Sequence, residues 1–157
     1  MLTVSAAAYA ALRQHGEEAY PEESCGVLAG RFPSEAFEGE AAVVVSAFRC
    51  VNARRDAPRS RYAIDPKELI GVQHEIRQRG LDIVGFYHSH PDHPAQWSAT
   101  DLDEAYWVHC AYVITSVERG RAGETRAFRL VEAVGSLADY PNDKQFIEEE
   151  VVQQASI

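Results

Sequence analysis

Two histidines, His88 and His90, end an apolar run and are separated by a single residue. Side chains two residues apart point to the same face of a strand, so the pair predicts two neighbouring imidazoles. Asp101 falls in the first turn of a predicted helix, where the positive end of the helix dipole favours a carboxylate. Two nitrogen ligands and one oxygen ligand with an open fourth position suit a catalytic zinc ion. The spacing therefore predicts a zinc site at these three residues.

Each of these residues also has a purely structural interpretation. Two histidines at a strand end can be hydrogen-bonded core groups, and Ser98 with Asp101 fits an N-cap with its capping-box partner. Taken singly, the structural interpretation is the more common one. The combination is more specific, because His88-Ser89-His90-Pro91 is followed after six residues by Ser98-Ala99-Thr100-Asp101.

This H-x-H-P, Ser, x-x, Asp pattern resembles the signature of the JAMM (MPN-plus) metallopeptidases. Residues 21–26, PEESCG, are similar to the P-x-E-x-C-G segment of small bacterial members, and Arg61-Tyr62 with Asp65-Pro66 resembles their R-Y-x-x-D-P segment. The resemblance covers roughly residues 1 to 132. It implies an α/β fold of the cytidine-deaminase-like JAMM/MPN type, with a single mixed, curved β-sheet flanked by helices. One departure is Trp97, where many members carry proline.

The resemblance also implies a role for each site residue. Glu23 would act as general base and acid, because zinc brings the pKa of its water to about 7, within reach of a carboxylate. Glu22 is the rival for this role, and the spacing to Cys25-Gly26 favours Glu23. The implied set comprises the Zn²⁺ ligands His88, His90 and Asp101, the base Glu23, and Ser98 as hydrogen-bond donor to the oxyanion.

Other chemistries are less well supported. Asp92 and His93 offer an alternative HxHxxH arrangement, although a turn at the rim of the cleft is the simpler interpretation. Cys25 as a peptidase nucleophile lacks an assigned base, and reduced, buried thiols are expected for all three cysteines. A zinc deaminase would need a Cys-rich ligand set with a CxxC element, which this sequence lacks.

The elements that must position these residues are predicted from periodicity and end signals. Asp65 as N-cap before Pro66 predicts a helix over 66–79. A further helix is predicted over 4–15, ended by Gly16, and another from Ser98 to about His109. The metallopeptidase domain is assigned to 1–134, and an acidic tail, either a short helix or a frayed end, to 135–157. Predicted strands cover 24–30, 41–48, 60–65, 81–88, 111–117 and 125–131.

Composition limits the possible functions. A chain of 157 residues with 46% hydrophobic content has room for one domain with one core. The net charge of −9 opposes binding to nucleic acid or anionic lipid. The sequence has no run of roughly 20 apolar residues and no signal-peptide pattern, so no membrane partner and a cytoplasmic location are expected. Oligomeric state is not predicted.

A substrate class is implied by the resemblance alone. Family members cut peptide or isopeptide bonds after the Gly-Gly tail of ubiquitin and ubiquitin-like β-grasp proteins. The compact P-x-E-x-C-G form is most similar to bacterial enzymes that process sulfur-carrier proteins, which makes carrier processing the first expectation. Removal of a modifier from lysine is the alternative. A non-catalytic scaffold is a third possibility, and it is disfavoured because every motif position is filled.

Overall fold

The computed structural model describes residues 1–33, 42–133 and 144–155. Within these residues the chain forms three helices and one mixed sheet of eight strands. The elements in chain order are β1 Leu2–Ser5, α1 Ala6–Ala19, β2 Cys25–Arg31, β3 Val43–Cys50, α2 Pro66–Gln78, β4 Asp82–Pro91, α3 Ala99–Asp103, β5 Ala111–Glu118, β6 Arg121–Glu132, β7 Lys144–Glu149 and β8 Val151–Gln154.

The sheet curves until its two edges meet. The strand order is β7-β6-β5-β4-β2-β3-β1-β8, so the consecutive strands β7 and β8 lie at opposite edges. Only Glu150 separates them, and its carbonyl accepts a 2.7 Å hydrogen bond from the amide of Leu2. One residue spans at most about 3.6 Å, so a flat sheet could not be connected this way. The α/β fold with a mixed, curved sheet flanked by helices is confirmed.

The helices cover both faces of the sheet. Helix α1 buries Ala8 and Leu12 in a core that includes Tyr87 of β4. Helix α2 buries Ile76 in a second core that includes Phe86 of the same strand. Adjacent side chains on a strand point to opposite faces, so α1 and α2 lie on opposite sides of the sheet.

The predicted helix over 66–79 is confirmed as α2, with Asp65 as N-cap and Pro66 in the first turn. The short strand predicted at 60–65 is wrong, because these residues do not join the sheet. No helix within the described ranges combines the length and apolar character needed to span a membrane.

Helix α1 differs from its prediction at both ends. It begins at Ala6, because Leu2–Ser5 form a strand and the Ser5 side chain accepts a 3.1 Å hydrogen bond from the amide of Ala8. It continues through Gly16, where a Cβ would lie 3.0 Å from the Val117 side chain. The glycine lets the helix approach the sheet closely, and this packing outweighs its weak helix propensity.

The helix predicted from Ser98 to about His109 is wrong in length. Helix α3 ends at Asp103, and Lys144 of β7 donates a 3.1 Å hydrogen bond to the Asp103 carbonyl. Beyond the helix Ala105 is buried, and His109 has a φ of 75°, a left-handed conformation that no right-handed helix contains. Tertiary contacts therefore end the helix early.

The short helix or frayed end predicted for the tail is also wrong where the structure describes it. Residues 144–149 pair with β6 and residues 151–154 pair with β1, both as strands. Strand pairing satisfies the backbone hydrogen-bonding groups of this segment. The segment pairs although it contains several glutamates, one of which, Glu148, forms an ion pair with Arg126. The predicted boundary between 134 and 135 lies outside the described residues.

Candidate metal centre

His88 and His90 lie at the C-terminal end of β4, on the face covered by α2 and α3. Both imidazoles are buried, and their Nε2 atoms are 3.1 Å apart. Asp101 of α3 faces the pair, with Oδ1 3.3 Å from His88 Nε2 and Oδ2 3.3 Å from His90 Nε2. The structure thus brings together the three residues that the sequence predicts as metal ligands.

The donor set fits a metal ion. One ligand atom from each of the three residues lies within 4.8 Å of the others. Tetrahedral zinc with bonds of 2.0–2.1 Å would place its ligand atoms about 3.3 Å apart, close to the separations between the Nε2 and carboxylate atoms. His90 Nδ1 lies 2.8 Å from the Pro94 carbonyl oxygen, to which it can donate, and this leaves the Nε2 lone pair free for a metal.

The His88 ring is held by packing. It stacks on Tyr62 with 4.5 Å between ring centroids, and within the described residues its buried Nδ1 has no hydrogen-bond partner. Tyr62 is not among the site residues predicted from the sequence, although the R-Y-x-x-D-P segment that contains it is part of the resemblance. Tyr62 orients a predicted ligand from outside the sheet.

Ser98 and Asp101 form a reciprocal capping box at the start of α3. The Asp101 amide donates to Ser98 Oγ at 3.1 Å, and the Ser98 amide donates to Asp101 Oδ2 at 2.8 Å. The predicted N-cap and capping box are therefore confirmed. The same Asp101 carboxylate also faces both histidines. Since Ser98 Oγ only accepts in the capping box, its own proton remains available to a group in the cleft.

The three clustered groups shift one another's pKa. Burial by itself raises the pKa of Asp101, but hydrogen bonds from both histidines hold it well below its usual range. Burial lowers the pKa of His88 despite the carboxylate. At His90 burial also acts downward, but the Asp101 carboxylate and the Pro94 carbonyl raise the pKa overall. The carboxylate thus stays ionised beside the two imidazoles, as a cation site requires.

Glu23 lies beside this cluster, just before β2. Its amide donates to the Pro58 carbonyl at 2.8 Å, and the residue is only 5% exposed. Burial, supported by the charge of Asp101 and opposed by His90, raises the pKa of the Glu23 carboxyl to about 8. Glu23 lines the cleft that contains His90 and Asp101, whereas its rival Glu22 does not.

The cleft at the metal centre has a volume of about 360 Å³. His93 is exposed and lines its rim, outside the cluster of candidate metal ligands. Asp92 has a φ of 56° and accepts hydrogen bonds from the Tyr20 hydroxyl at 2.7 Å and the Arg119 amide at 2.8 Å. Asp92 therefore has a structural role in the turn that follows β4. The cleft is lined by Glu23, Arg59, Ser60, His90, Pro91, His93, Pro94, Gln96, Ser98 and Asp101.

A second groove of about 310 Å³ adjoins the metal centre on the His88 side. Tyr62 lines this groove while stacking on His88, so the groove leads to the predicted ligands. A larger cavity of about 580 Å³ lies around Leu2 and Ala111 and contains no predicted site residue. The groove on the His88 side is mainly aromatic and aliphatic, lined by Tyr62, Ala63, Ile64, Leu69, Phe86, Glu104, Tyr106, Trp107 and Tyr112.

The three cysteines are free and buried, as expected from the sequence. Burial raises the pKa of the Cys25 thiol to about 12. A thiol with so high a pKa is almost entirely protonated at neutral pH and is a poor nucleophile. The alternative of a cysteine peptidase therefore finds no support at Cys25.

Comparison with known proteins gives matches over most of the chain. The Prok-JAB profile, which describes prokaryotic homologs of the JAB domain, matches residues 5–131. A desampylase from Haloferax volcanii is 40% identical over 96 residues, which cover 61% of this chain and 63% of that protein. The chain thus spans less than two thirds of the length of this relative. A CysO-cysteine peptidase from Mycobacterium tuberculosis is 28% identical over 141 residues, 90% of this chain and 89% of that protein.

The fold also matches a solved structure. The solution structure of a protein from Desulfitobacterium hafniense superposes with a TM-score of 0.78 at 25% identity. The superposition covers 100% of this chain and 95% of the other. The similarity therefore includes the whole α/β sheet with its flanking helices.

Proposed function

The chain belongs to the Prok-JAB family, the prokaryotic homologs of the JAB domain, and from this membership we propose that it is a zinc-dependent peptidase. The proposed reaction is hydrolysis of the bond after the C-terminal Gly-Gly of a ubiquitin-like β-grasp protein, with a sulfur carrier as the first candidate. The observation that carries the proposal is the meeting of His88, His90 and Asp101 beside Glu23 at one cleft.

The names of the relatives support this substrate class. One relative is a desampylase and another is a CysO-cysteine peptidase, so both names describe cleavage of a bond. The second relative is matched over 89% of its length, which favours a comparable catalytic unit in this chain. A protein partner of the ubiquitin-like kind is the corresponding proposal for this chain.

Each site residue has a distinct role in the proposed reaction. His88, His90 and Asp101 would hold the metal. Zinc, when bound, supplies Lewis-acid polarisation and makes water acidic enough to lose a proton near neutral pH. Glu23 takes this proton from the attacking water and later donates it to the leaving nitrogen. Its position in the same cleft as His90 and Asp101 supports that assignment.

Ser98 would stabilise the charge that develops on the substrate carbonyl oxygen. Its exposed hydroxyl lines the cleft, and its lone pair is engaged by the Asp101 amide, which orients the remaining proton. A donor that is already oriented costs little reorganisation when the oxyanion forms. Ser98 is therefore both the cap of α3 and the proposed oxyanion donor.

The aromatic groove on the His88 side suits an extended peptide tail. An apolar, preformed groove can bury alternate side chains of a strand-like segment. Because Tyr62 lines the groove and stacks on His88, a tail lying there would end at the metal centre. We assign this groove to the carrier side of the scissile bond.

Two alternatives use the same residues. An isopeptidase that removes a ubiquitin-like modifier from lysine would need the same metal, base and oxyanion donor, and the desampylase relative favours it. A non-catalytic scaffold would need no ligands, and the clustering of all three disfavours this alternative.

The test is metal content together with cleavage of a β-grasp carrier extended past its Gly-Gly, followed by mass spectrometry with and without a chelator. We expect one zinc per chain, chelator-sensitive cleavage after the second glycine, and loss of both in His88→Ala. Zinc without cleavage of this carrier would favour isopeptide substrates or a scaffold. Full zinc content in His88→Ala would refute the site.

A further inference from the structure

Among the described residues that line the cleft at the metal centre, one basic side chain has no ion-pair partner. Among the described residues that line it, Arg59 is the only lysine or arginine, and its side chain is exposed. The neighbouring Arg54 is paired with Asp56 and Glu104, whereas Arg59 has no carboxylate partner in the described parts of the chain. Its guanidinium is therefore free to bind an anionic group that enters the cleft.

The turn that carries Arg59 is attached to the backbone of Glu23. The Glu23 amide donates to the carbonyl of Pro58, the residue immediately before Arg59, at 2.8 Å. The turn itself is closed by a 2.9 Å hydrogen bond from the Arg61 amide to the Ala57 carbonyl. The backbone of Arg59 therefore lies next to the backbone of Glu23, the proposed general base.

Asn52 holds this arrangement in place. Its Nδ2 lies 3.0 Å from the Arg61 carbonyl, 3.3 Å from the Glu23 carbonyl and 3.4 Å from the Pro58 carbonyl. A single amide group therefore joins both sides of the turn to the backbone of Glu23. These hydrogen bonds fix the backbone of Arg59 relative to the backbone of Glu23.

We propose, on the basis of the proposed function, that Arg59 binds the α-carboxylate of the amino acid that leaves. The preferred substrate would then be a carrier whose last glycine is linked through a peptide bond to one terminal amino acid. In such a leaving group the carboxyl carbon lies about 2.5 Å from the scissile nitrogen, given ordinary backbone geometry. Since Glu23 must protonate that nitrogen, a cation for the carboxylate has to lie beside Glu23.

Electrostatics support the need for this cation. A carboxylate that enters the cleft loses part of its hydration, and a desolvated charge without a partner is costly. Arg59 offsets this cost, and a guanidinium can bind both carboxylate oxygens at once. A lysine side chain released from an isopeptide bond has no carboxylate at this position, so Arg59 would not strengthen its binding.

The experiment compares two substrates that differ in one group. A β-grasp carrier extended by a single amino acid past Gly-Gly is prepared as the free acid and as the C-terminal amide. We expect Arg59→Ala to lower kcat/KM for the free acid by roughly 10-fold to 100-fold and to leave the amide within about 2-fold. Arg59→Lys should retain part of the preference. Arg55→Ala is the matched control, because Arg55 is exposed in the same segment but does not line the cleft.

Equal losses on both substrates, or no loss on the free acid, would overturn the inference. Binding separates this result from failure of the proposed function. In a Glu23→Gln background, calorimetry should show tighter binding of the free acid than of the amide, and Arg59→Ala should abolish the difference. If the wild type cleaves neither substrate but this difference is present, the peptidase proposal fails and the carboxylate site stands. If the two forms bind equally, the carboxylate site is refuted.

Discussion

Glu23 combines burial with access to the cleft, and its chemistry follows from both. Burial raises the pKa of its carboxyl group to about 8. A divalent cation at His90 and Asp101 would lower this pKa by favouring the carboxylate. The group would then titrate closer to neutral pH, where a side chain can both accept and donate a proton effectively.

Replacement of Glu23 by glutamine tests its role. We expect Glu23→Gln to lower kcat by roughly 10² to 10⁴, the usual contribution of general acid–base catalysis, with zinc content unchanged. Glu22→Gln should retain nearly full activity, because Glu22 does not line the cleft. Steady-state kinetics and metal analysis of both variants provide the measurement. The assignment is wrong if the two variants exchange these outcomes.

Ser98→Ala should have two separable effects. Loss of the oxyanion donor should lower kcat on the order of 10²-fold to 10³-fold with little change in KM. Loss of the N-cap of α3 should cost about 1 kcal/mol of stability. Ser98→Thr keeps both the hydroxyl and the cap, and it should retain most of the activity and stability. A rate loss in Ser98→Ala that only follows a loss of zinc would argue against the oxyanion role.

The register between β2 and β4 depends on a glycine. Gly26 pairs with Tyr87 across the two strands, and a Cβ on Gly26 would lie 2.2 Å from Tyr87 Cε1 and 2.4 Å from the Phe48 carbonyl oxygen. The Tyr87 ring thus occupies the space that any side chain on Gly26 would need. This packing gives a physical reason for the glycine that follows Cys25 in the P-x-E-x-C-G segment.

Two glycine-to-alanine substitutions should therefore have opposite signs. Gly26→Ala should destabilise the protein by more than about 2 kcal/mol, because the Phe48 backbone oxygen and the packed Tyr87 ring cannot easily move. Gly71→Ala, in the middle of α2 with nothing within 4 Å of the added carbon, should stabilise by about 0.5–1 kcal/mol. Urea unfolding measures both. Similar effects at the two positions would contradict the proposed packing at Gly26.

The contact between α1 and β4 should make stability sensitive to acid. His15 Nδ1 lies 2.7 Å from the Tyr87 hydroxyl, from which it can accept a hydrogen bond, and burial together with Arg49 lowers the pKa of His15 from 6.5 to about 4. Between pH 6.5 and 4 the unfolded chain therefore binds more protons than the folded chain. The stability that neutral His15 contributes is present in full above pH 6.5 and is lost as the pH falls from 6.5 to about 4.

His15→Gln should reduce this loss, since glutamine can still accept from Tyr87 but does not titrate. We expect the free energy of unfolding of the wild type to fall more between pH 7 and pH 4.5 than that of the variant. Denaturant unfolding at several pH values provides the measurement, and the carboxylates contribute equally to both proteins. Parallel pH profiles would show that His15 does not contribute.

At the scale of the whole molecule, the tail closes the sheet and supports the segment that leads to Ser98. Phe146 of β7 contacts the rings of Trp97, Tyr112 and Phe128, with centroid distances of 5.6, 5.5 and 6.1 Å. Trp97 immediately precedes Ser98 in the chain. Residues 144–154 therefore form part of the structure that positions the candidate site.

A pair of neighbouring substitutions tests this role of the tail. Phe146→Ala should destabilise the protein by about 2 kcal/mol, less than the 3–5 kcal/mol of a fully buried phenylalanine because the ring is half-buried. Ile147→Ala should cost less than about 1 kcal/mol, since Ile147 is 43% exposed. Thermal unfolding followed by circular dichroism measures both. Equal, small losses of stability in the two variants would indicate that residues 144–154 do not support the rest of the fold.

The sequence by itself determined the features that depend on local spacing. His88 and His90 face the same side because a strand has a two-residue period. The helix over 66–79 was predictable because Asp65 and Pro66 are start signals within the helix itself. The resemblance of the complete motif predicts the roles of Asp101 and Glu23 and the α/β fold.

Only the tertiary structure decided the features that depend on distant partners. Residues 144–154 became strands because β6 and β1, far away in sequence, offer backbone groups to pair with. Gly16 remained inside α1 because the sheet lies against it, and α3 stayed short partly because Lys144 contacts its end. Tyr62 on His88 and Arg59 beside Glu23 likewise arise from packing between segments. Such non-local contacts leave no period in the sequence, so pattern analysis alone could not find them.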